Sequence, residues 1–413
     1  MAERTFVVVG AGLAGGKAVE TLRAEGFTGR VVLVGAEPHR PYERPPLSKD
    51  VLAGRAEPDT TFVHEPGWYA EHEVELLVGT PATGLDLAAR RLDLADGRQL
   101  GFDALLLATG AVPRPLPAPG ANLAAVHYLR TREDAVTLRE ALAGGPRVVV
   151  VGAGWIGLEV AAAARGHGAT VTVVEPAPTP LHGVLGPEMG VVFAALHRDH
   201  DVAVRTGTGV RELQGSAGRV SGVVTDRGEV LPADVVVVGV GVRPADELAR
   251  AAGLPVDNGV LVDAALRTDH PDVYAAGDVA NAAHPLLGGR VRVEHWANAL
   301  HGGPAAARSM LGQPVSYDRV PYFFSDQFDL GMEYSGWAPA GSYDEVVVRG
   351  DLGAREFVAF WLAQGRVLAG MNVNVWDVTA QVQALVRSGR PVDRTRLADP
   401  AVPLAELVPA AGS

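Results

Sequence analysis

A valine-rich run followed at once by three spaced glycines occurs twice in this chain. Phe6-Val-Val-Val9 leads into Gly10-Ala-Gly12-Leu-Ala-Gly15, and Val148-Val-Val-Val151 leads into Gly152-Ala-Gly154-Trp-Ile-Gly157. Each copy predicts a strand, a tight turn and a helix. The first glycine permits the turn, the second lets the backbone approach a pyrophosphate, and the third lets the helix pack closely on the strand. Phosphates would then rest on a helix N-terminus. An acidic residue closes the next strand in both copies, Glu37 after Val31-Val-Leu-Val34 and Glu175 after Val171-Thr-Val-Val174, placed to accept hydrogen bonds from a ribose. A single such pattern reads equally well as an ordinary glycine-rich turn. Two copies in the same strand, helix, strand and acid order predict two bound dinucleotides and an α/β fold with two Rossmann-like domains.

Composition narrows what two such sites can do. The chain has 413 residues and no cysteine. It therefore has no disulfide relay, no thiolate nucleophile and no Cys-ligated iron–sulfur cluster, so if one of the two dinucleotides is a flavin, electrons arriving on it must leave from the flavin itself. A net charge of -12 argues against nucleic acid as a partner. No apolar run approaches the roughly 18 residues of a membrane span, and Met1-Ala-Glu-Arg-Thr5 runs into a strand without a signal-peptide pattern, so a cytoplasmic protein is expected. No metal site is expected among the twelve histidines: His64-Glu65 lacks a partner His, and the spacing of His295 and His301 is no ligand pattern. Only Lys17 and Lys49 are lysines, which makes each of them informative.

The loop Pro38-His-Arg-Pro-Tyr-Glu-Arg-Pro-Pro-Leu-Ser-Lys49 cannot continue a helix and suits side chains held rigidly over a cofactor. Arg91 to Gly97 reads as a hairpin with an Asp-Gly turn, and Ala104-Leu-Leu-Leu107 as a strand ending in Ala108-Thr-Gly110. Four prolines between Val112 and Gly120 mark a domain crossing. Val235 to Pro244 repeats a strand closed by glycines, and Val273 to Val279 reads as a strand turning into a helix, with the chain crossing back to its first domain. From Pro321, short alternating segments such as Glu345-Val-Val-Val348 and Glu356-Phe-Val-Ala-Phe-Trp361 predict a small antiparallel sheet, then a helix over Val378 to Val386. The expected domains are 1–112 with 245–320, an inserted 113–244, and a small α+β domain over 321–413.

Arg40-Pro-Tyr-Glu-Arg-Pro-Pro-Leu-Ser-Lys49, Gly154-Trp-Ile-Gly-Leu-Glu159, Ala275-Ala-Gly-Asp278, Glu294-His-Trp296 and Pro321-Tyr-Phe-Phe-Ser-Asp-Gln-Phe328 together give the chain its family likeness. Over essentially its whole length it resembles the FAD-dependent NADH:ferredoxin reductases of the putidaredoxin reductase, rubredoxin reductase and dioxygenase ferredoxin reductase type. The resemblance implies a glutathione-reductase-like pair of nucleotide-binding domains with a C-terminal domain, FAD on the first and NADH on the inserted one. For FAD it implies Gly10, Gly12, Ala14, Gly15, Glu37, Arg44, Lys49, Ala82, Thr109, Gly110, Arg130, Asp278, Glu294, His295 and Trp296. For NAD it implies Gly152, Gly154, Ile156, Gly157, Glu159, Glu175, Gly239 and Gly241. Lys49 and Glu159 are implied as a pair beside the flavin that gates nicotinamide access; an ordinary salt bridge is the alternative.

Asp278 suits a ribityl hydroxyl or a helix cap, and Glu294-His-Trp296 would place a helix N-terminus where negative charge develops on a reduced flavin. Glu175 repels a 2'-phosphate and Pro176-Ala-Pro-Thr-Pro-Leu181 offers no cation to neutralise one, which favours NADH over NADPH. Relatives often carry arginines where this chain has Thr179 and Gly183, so NADH binding weaker than usual for the group is expected. The aromatic run from Tyr322 to Phe328 is read as core, with a partner-facing edge near the flavin as the alternative. Arg290, Arg292, Arg308 and Arg319 are candidates for a basic patch that docks an acidic ferredoxin. The implied activity is transfer of electrons from NADH through FAD to a [2Fe-2S] ferredoxin that supplies a cytochrome P450 or Rieske-type oxygenase, by a monomer. An NADH oxidase or quinone reductase, and a slow-turnover redox-sensing flavoprotein, remain open.

Overall fold

A computed structural model describes residues 4–408. The described residues group into two units, one of residues 4–44, 59–112 and 242–321, the other of 45–58, 113–241 and 322–408.

In the first unit, strands Val74–Leu77, Arg30–Val34, Thr5–Val9, Ala104–Leu107 and Val273–Ala275 form, in that spatial order, an all-parallel sheet. Val7, Val8, Val31, Val32, Leu105 and Leu106 are fully buried, as near-continuous apolar strands require when both sheet faces are covered. Pairing of Val273–Ala275 with Ala104–Leu107 returns the chain to this sheet after its long excursion. The helix Leu13–Ala24 crosses the helix Trp296–Met310 without intervening side chains: a Cβ on Gly303 would lie 2.1 Å from the Ala14 carbonyl oxygen. The predicted hairpin forms from Arg91–Leu94 and Gln99–Gly101, with Gly97 at φ +87° in its turn.

The second unit repeats the plan. Strands Val202–Thr206, Thr170–Glu175, Arg147–Val151, Val235–Val238 and Val126–His127 are again parallel, in the corresponding order. A five-stranded antiparallel sheet in the order Tyr322–Gln327, Leu330–Gly336, Arg366–Val373, Glu356–Ala363, Glu345–Asp351 groups with it. Helix Thr379–Ser388 buries Val382 and Leu385 against the sheet's Arg366–Val373 face. Residues 45–58 also belong here. Leu52 is fully buried, and its carbonyl bonds His167 Nε2 at 2.7 Å. The loop that carries Lys49 is thereby fixed on the second unit.

One local expectation fails. After Val273–Ala275 the chain makes only a single 3-10 turn, Gly277–Val279, and continues into the strand Ala280–His284. Gly277 sits at φ +75° and Ala280 is extended, so Asp278 does not open a helix.

Candidate functional site

Both glycine fingerprints build the same object. Gly10 has φ +116°, and a Cβ there would lie 2.1 Å from the Ala108 carbonyl oxygen; a Cβ on Gly15 would lie 2.0 Å from the oxygen of Gly10. In the second copy Gly152 has φ +102° and meets Gly239 at 2.4 Å, while Gly157 meets Gly152 at 2.1 Å. These four glycines are demanded by the protein's own backbone. Gly12 and Gly154 differ: a Cβ on either meets nothing within 4 Å. Each is the N-cap of its helix and gives it no side-chain cap, so the first-turn N–H groups have no side-chain acceptor from their own cap. An uncapped helix N-terminus beneath a bare glycine backbone suits a pyrophosphate.

The two acids are held differently. Glu37 accepts from Arg44 at 2.6 Å and from the Tyr42 hydroxyl, which itself accepts from Arg44 at 2.8 Å. The Glu175 carboxylate accepts backbone N–H bonds from Ala153 at 2.7 Å and Ala177 at 2.8 Å. That ties the acid to the glycine loop and leaves its other lone pairs for a ligand.

Most of the other residues expected at the FAD also belong to the first unit. Thr109 donates to the Ala245 carbonyl at 2.6 Å beside Gly110, which is at φ +73°. Ala14 packs where a Cβ on Gly277 would come within 3.1 Å of it. His295 is the N-cap of the helix opened by Trp296, as expected, and Glu294 pairs with Arg292 at 2.6 Å. Ala82 starts the strand Ala82–Asp86. Arg130 lies in the second unit, just before the helix Arg132–Ala141. There too Ile156 projects from the first helical turn, 44% exposed, and Gly241 takes φ +92°.

Lys49 and Glu159 meet at 2.8 Å, with side chains only 13% and 3% exposed. Two hydroxyls sequence reasoning did not single out complete the carboxylate: Ser48 donates to Oε2 at 2.5 Å and Ser325 to Oε1 at 2.7 Å. Ser325 in turn accepts from Gln327 at 3.0 Å, and Gln327 meets His197 Nε2 at 3.0 Å. Asp326, on the opposite strand face, has its carboxyl raised by burial, with Lys49 opposing and Glu159 and Asp50 adding to the rise.

The aromatic run divides by strand alternation. Phe323 is core, stacked on Tyr334 and edge-on to Trp155. Phe324 points to the other face, its ring centroid 5.3 Å from Lys49 Nζ, and Tyr322 donates to Glu333 at 2.7 Å. Reading the whole run as core therefore holds only in part. Of the four arginines considered for a basic patch, Arg290 donates to the carbonyls of Val262 and Asn281, Arg292 is turned inward and paired with Glu294, Arg308 is paired with Glu25, and Arg319 is exposed.

His197 sets a pH dependence. Burial pulls its pKa down to about 4, against the bond to Gln327 and with a push from His200. The unfolded chain takes up the proton near pH 6.5 and the folded one only near 4. The stability tied to this group is therefore whole above the higher value and lost as pH falls toward the lower, by up to roughly 3 kcal/mol. Urea unfolding across this window should show a steeper acid loss for the native chain than for His197→Gln; equal slopes would contradict it.

Two strand-to-helix cradles in tandem, each with its acid, define an oxidoreductase of the two-dinucleotide class. Residues 4–303 match the pyridine nucleotide-disulphide oxidoreductase family and 322–408 the reductase C-terminal family. The chain belongs to the pyridine nucleotide-disulphide oxidoreductases, although it has no cysteine with which to form a disulfide. It is 42% identical over 370 residues to rhodocoxin reductase of Rhodococcus erythropolis, covering 90% of this chain and 86% of that one. It is 41% identical to the ferredoxin–NAD(+) reductase component of the anthranilate 1,2-dioxygenase system of Burkholderia cepacia, covering 98% and 99%. Its fold superposes on that of putidaredoxin reductase, solved as a covalent complex with putidaredoxin, with a TM-score of 0.94, 37% identity and full coverage of both chains. No described helix is long and apolar enough to cross a membrane, and no described group of three or more acidic or histidine side chains could hold a metal ion.

Proposed function

We propose that this protein takes electrons from NADH onto a bound FAD and passes them to a [2Fe-2S] ferredoxin of an oxygenase system, in the cytoplasm, where NADH is available. The observation that carries this is the pair of matching open cradles in a chain without cysteine. Relatives named as ferredoxin reductases supply the acceptor class. Residues 1–112 with 245–320, apart from the segment 45–58 that groups with the other unit, form the FAD portion, 113–244 the NADH portion and 321–413 the C-terminal domain.

Both groups fit the residues present. The open backbone at Gly12 and the uncapped helix behind it receive the FAD pyrophosphate, while Glu37, positioned by Tyr42 and Arg44, takes ribose hydroxyls. Arg44, Ala14, Ala82, Thr109, Gly110, Arg130 and Asp278 complete the FAD contacts, and the helix N-terminus at Glu294, His295 and Trp296 offers positive potential. When bound, FAD supplies a two-electron acceptor that releases electrons singly.

Gly154, Gly157, Gly239 and Gly241 shape the NADH cradle and Ile156 covers it. Lys49 and Glu159 orient the nicotinamide and exclude water. A buried ion pair returns little net stability after desolvation, which favours a functional reason for this one. Glu175 disfavours a 2'-phosphate, and with Thr179 and Gly183 in place of arginines, NADH binds less tightly than is usual for the group, which a Kd or KM in the low micromolar range would contradict. Glu175→Ala should raise the NADPH to NADH ratio of kcat/KM by about tenfold; an unchanged ratio would remove Glu175 from cofactor selection. NADH oxidation measured with and without ferredoxin plus cytochrome c tests the function. Strong stimulation by ferredoxin is expected, and equal rates would favour an oxidase.

A further inference from the structure

The bonds around Glu159 run in one direction. An ionised carboxylate only accepts, so the single hydroxyl proton of Ser325 points at Glu159 Oε1 and its lone pair takes the amide N–H of Gln327. The other end of that amide is a carbonyl oxygen, which leaves His197 Nε2 to carry its proton. His197 Nδ1 is then a bare lone pair, and it finds no partner among the described residues. Three aligned donors thus end on one carboxylate, and Ser48 adds a fourth from the other side. All five side chains are buried. Aligned hydrogen bonds in a low-dielectric interior reinforce one another.

We propose that Ser325, Gln327 and His197 are positioning residues that keep the Glu159 carboxylate ionised and aimed even when Lys49 is not paired with it. Lys49 is then free to swing toward an incoming nicotinamide without leaving behind a carboxyl that must take up a proton. His197 acts through Gln327, and Gln327 through Ser325. A polar cluster serving only to join the strand Tyr322–Gln327 to the helices behind it would need no common direction. The proposal rests on Glu159 standing beside the nicotinamide.

The test uses the flavin-loaded protein and reads more than turnover. Infrared difference spectra should show Glu159 ionised in the native chain and in Lys49→Met, and a carboxylic-acid band appearing only when Ser325→Ala is added to Lys49→Met. Nitrogen NMR should report His197 neutral with the proton on Nε2. In stopped flow, Ser325→Ala should lower the limiting rate of flavin reduction about tenfold while the Kd for NADH changes less than about threefold, because orientation and not binding is lost. Ser325→Thr, which keeps the hydroxyl, should restore the rate, and Gln327→Met should share the defect. A protonated Glu159 in Lys49→Met alone, no acid band in the double variant, or His197 protonated on Nδ1 would overturn the proposal, as would a Ser325→Thr variant as slow as Ser325→Ala. Glu159→Gln separates the two layers. If it reduces flavin at the native rate, the reading of Glu159 beside the nicotinamide fails, whereas the infrared and NMR results still decide the proton arrangement.

Discussion

Replacing Gly154 with valine is expected to leave a folded, yellow protein whose Kd for NADH has risen about 100-fold, a loss of roughly 2.7 kcal/mol. The size follows from where the new side chain goes. A Cβ on Gly154 meets no protein atom within 4 Å, and its backbone is extended at φ -78°, which any residue adopts. The valine therefore costs the fold little and occupies the space the pyrophosphate needs, displacing it from the bare N-terminus of the helix Trp155–Gly166. Gly152→Ala is the contrast. Its Cβ would sit 2.4 Å from the Gly239 oxygen at φ +102°, so it should damage folding as well as binding. Calorimetric NADH titration alongside thermal melts checks both. An unchanged NADH affinity in Gly154→Val would remove this cradle from coenzyme binding.

Lys49→Met should slow flavin reduction by NADH about 100-fold while flavin content stays at the native level, since a misplaced or unscreened nicotinamide loses the alignment that hydride transfer requires. Removing one member of a buried ion pair usually costs about 3 to 5 kcal/mol because the other charge is stranded. Here Ser48 and Ser325 still donate to the Glu159 carboxylate. The stability loss should accordingly be smaller, about 1 to 2 kcal/mol. Stopped-flow reduction and denaturant unfolding of the same preparation measure the two effects. A native reduction rate would make the pair an ordinary salt bridge.

The parts legible in the sequence were those governed by local backbone rules. Gly10, Gly15, Gly152 and Gly157 are forced by carbonyl oxygens of neighbouring loops, and that need leaves a spacing any reader can find. The acids Glu37 and Glu175 follow from the strand that comes next. Strand alternation along Tyr322–Gln327 sets Phe323, Ser325 and Gln327 on one face, a division that reading the run by its aromatics alone does not give. Nothing in the chain marked which face would meet Glu159, 166 positions away from Ser325. His197 was still less visible, since it looks like any residue on the helix His182–Asp199 until the fold brings Gln327 to it. Asp278 misled because a strand end followed by Gly-Asp resembles a helix start, whereas Gly277 at positive φ turns the chain into another strand. Among the arginines, charge alone does not reveal that the guanidinium of Arg292 is turned inward against Glu294.

Anaerobic titration of the purified protein with NADH, followed by addition of a [2Fe-2S] ferredoxin, tests the paired-cradle reading most directly. A yellow protein bleached by about one NADH per flavin is expected, with about two ferredoxins then reduced for each NADH consumed. A colourless protein that takes up no flavin on reconstitution, or a bleached one that leaves ferredoxin oxidised, would contradict it.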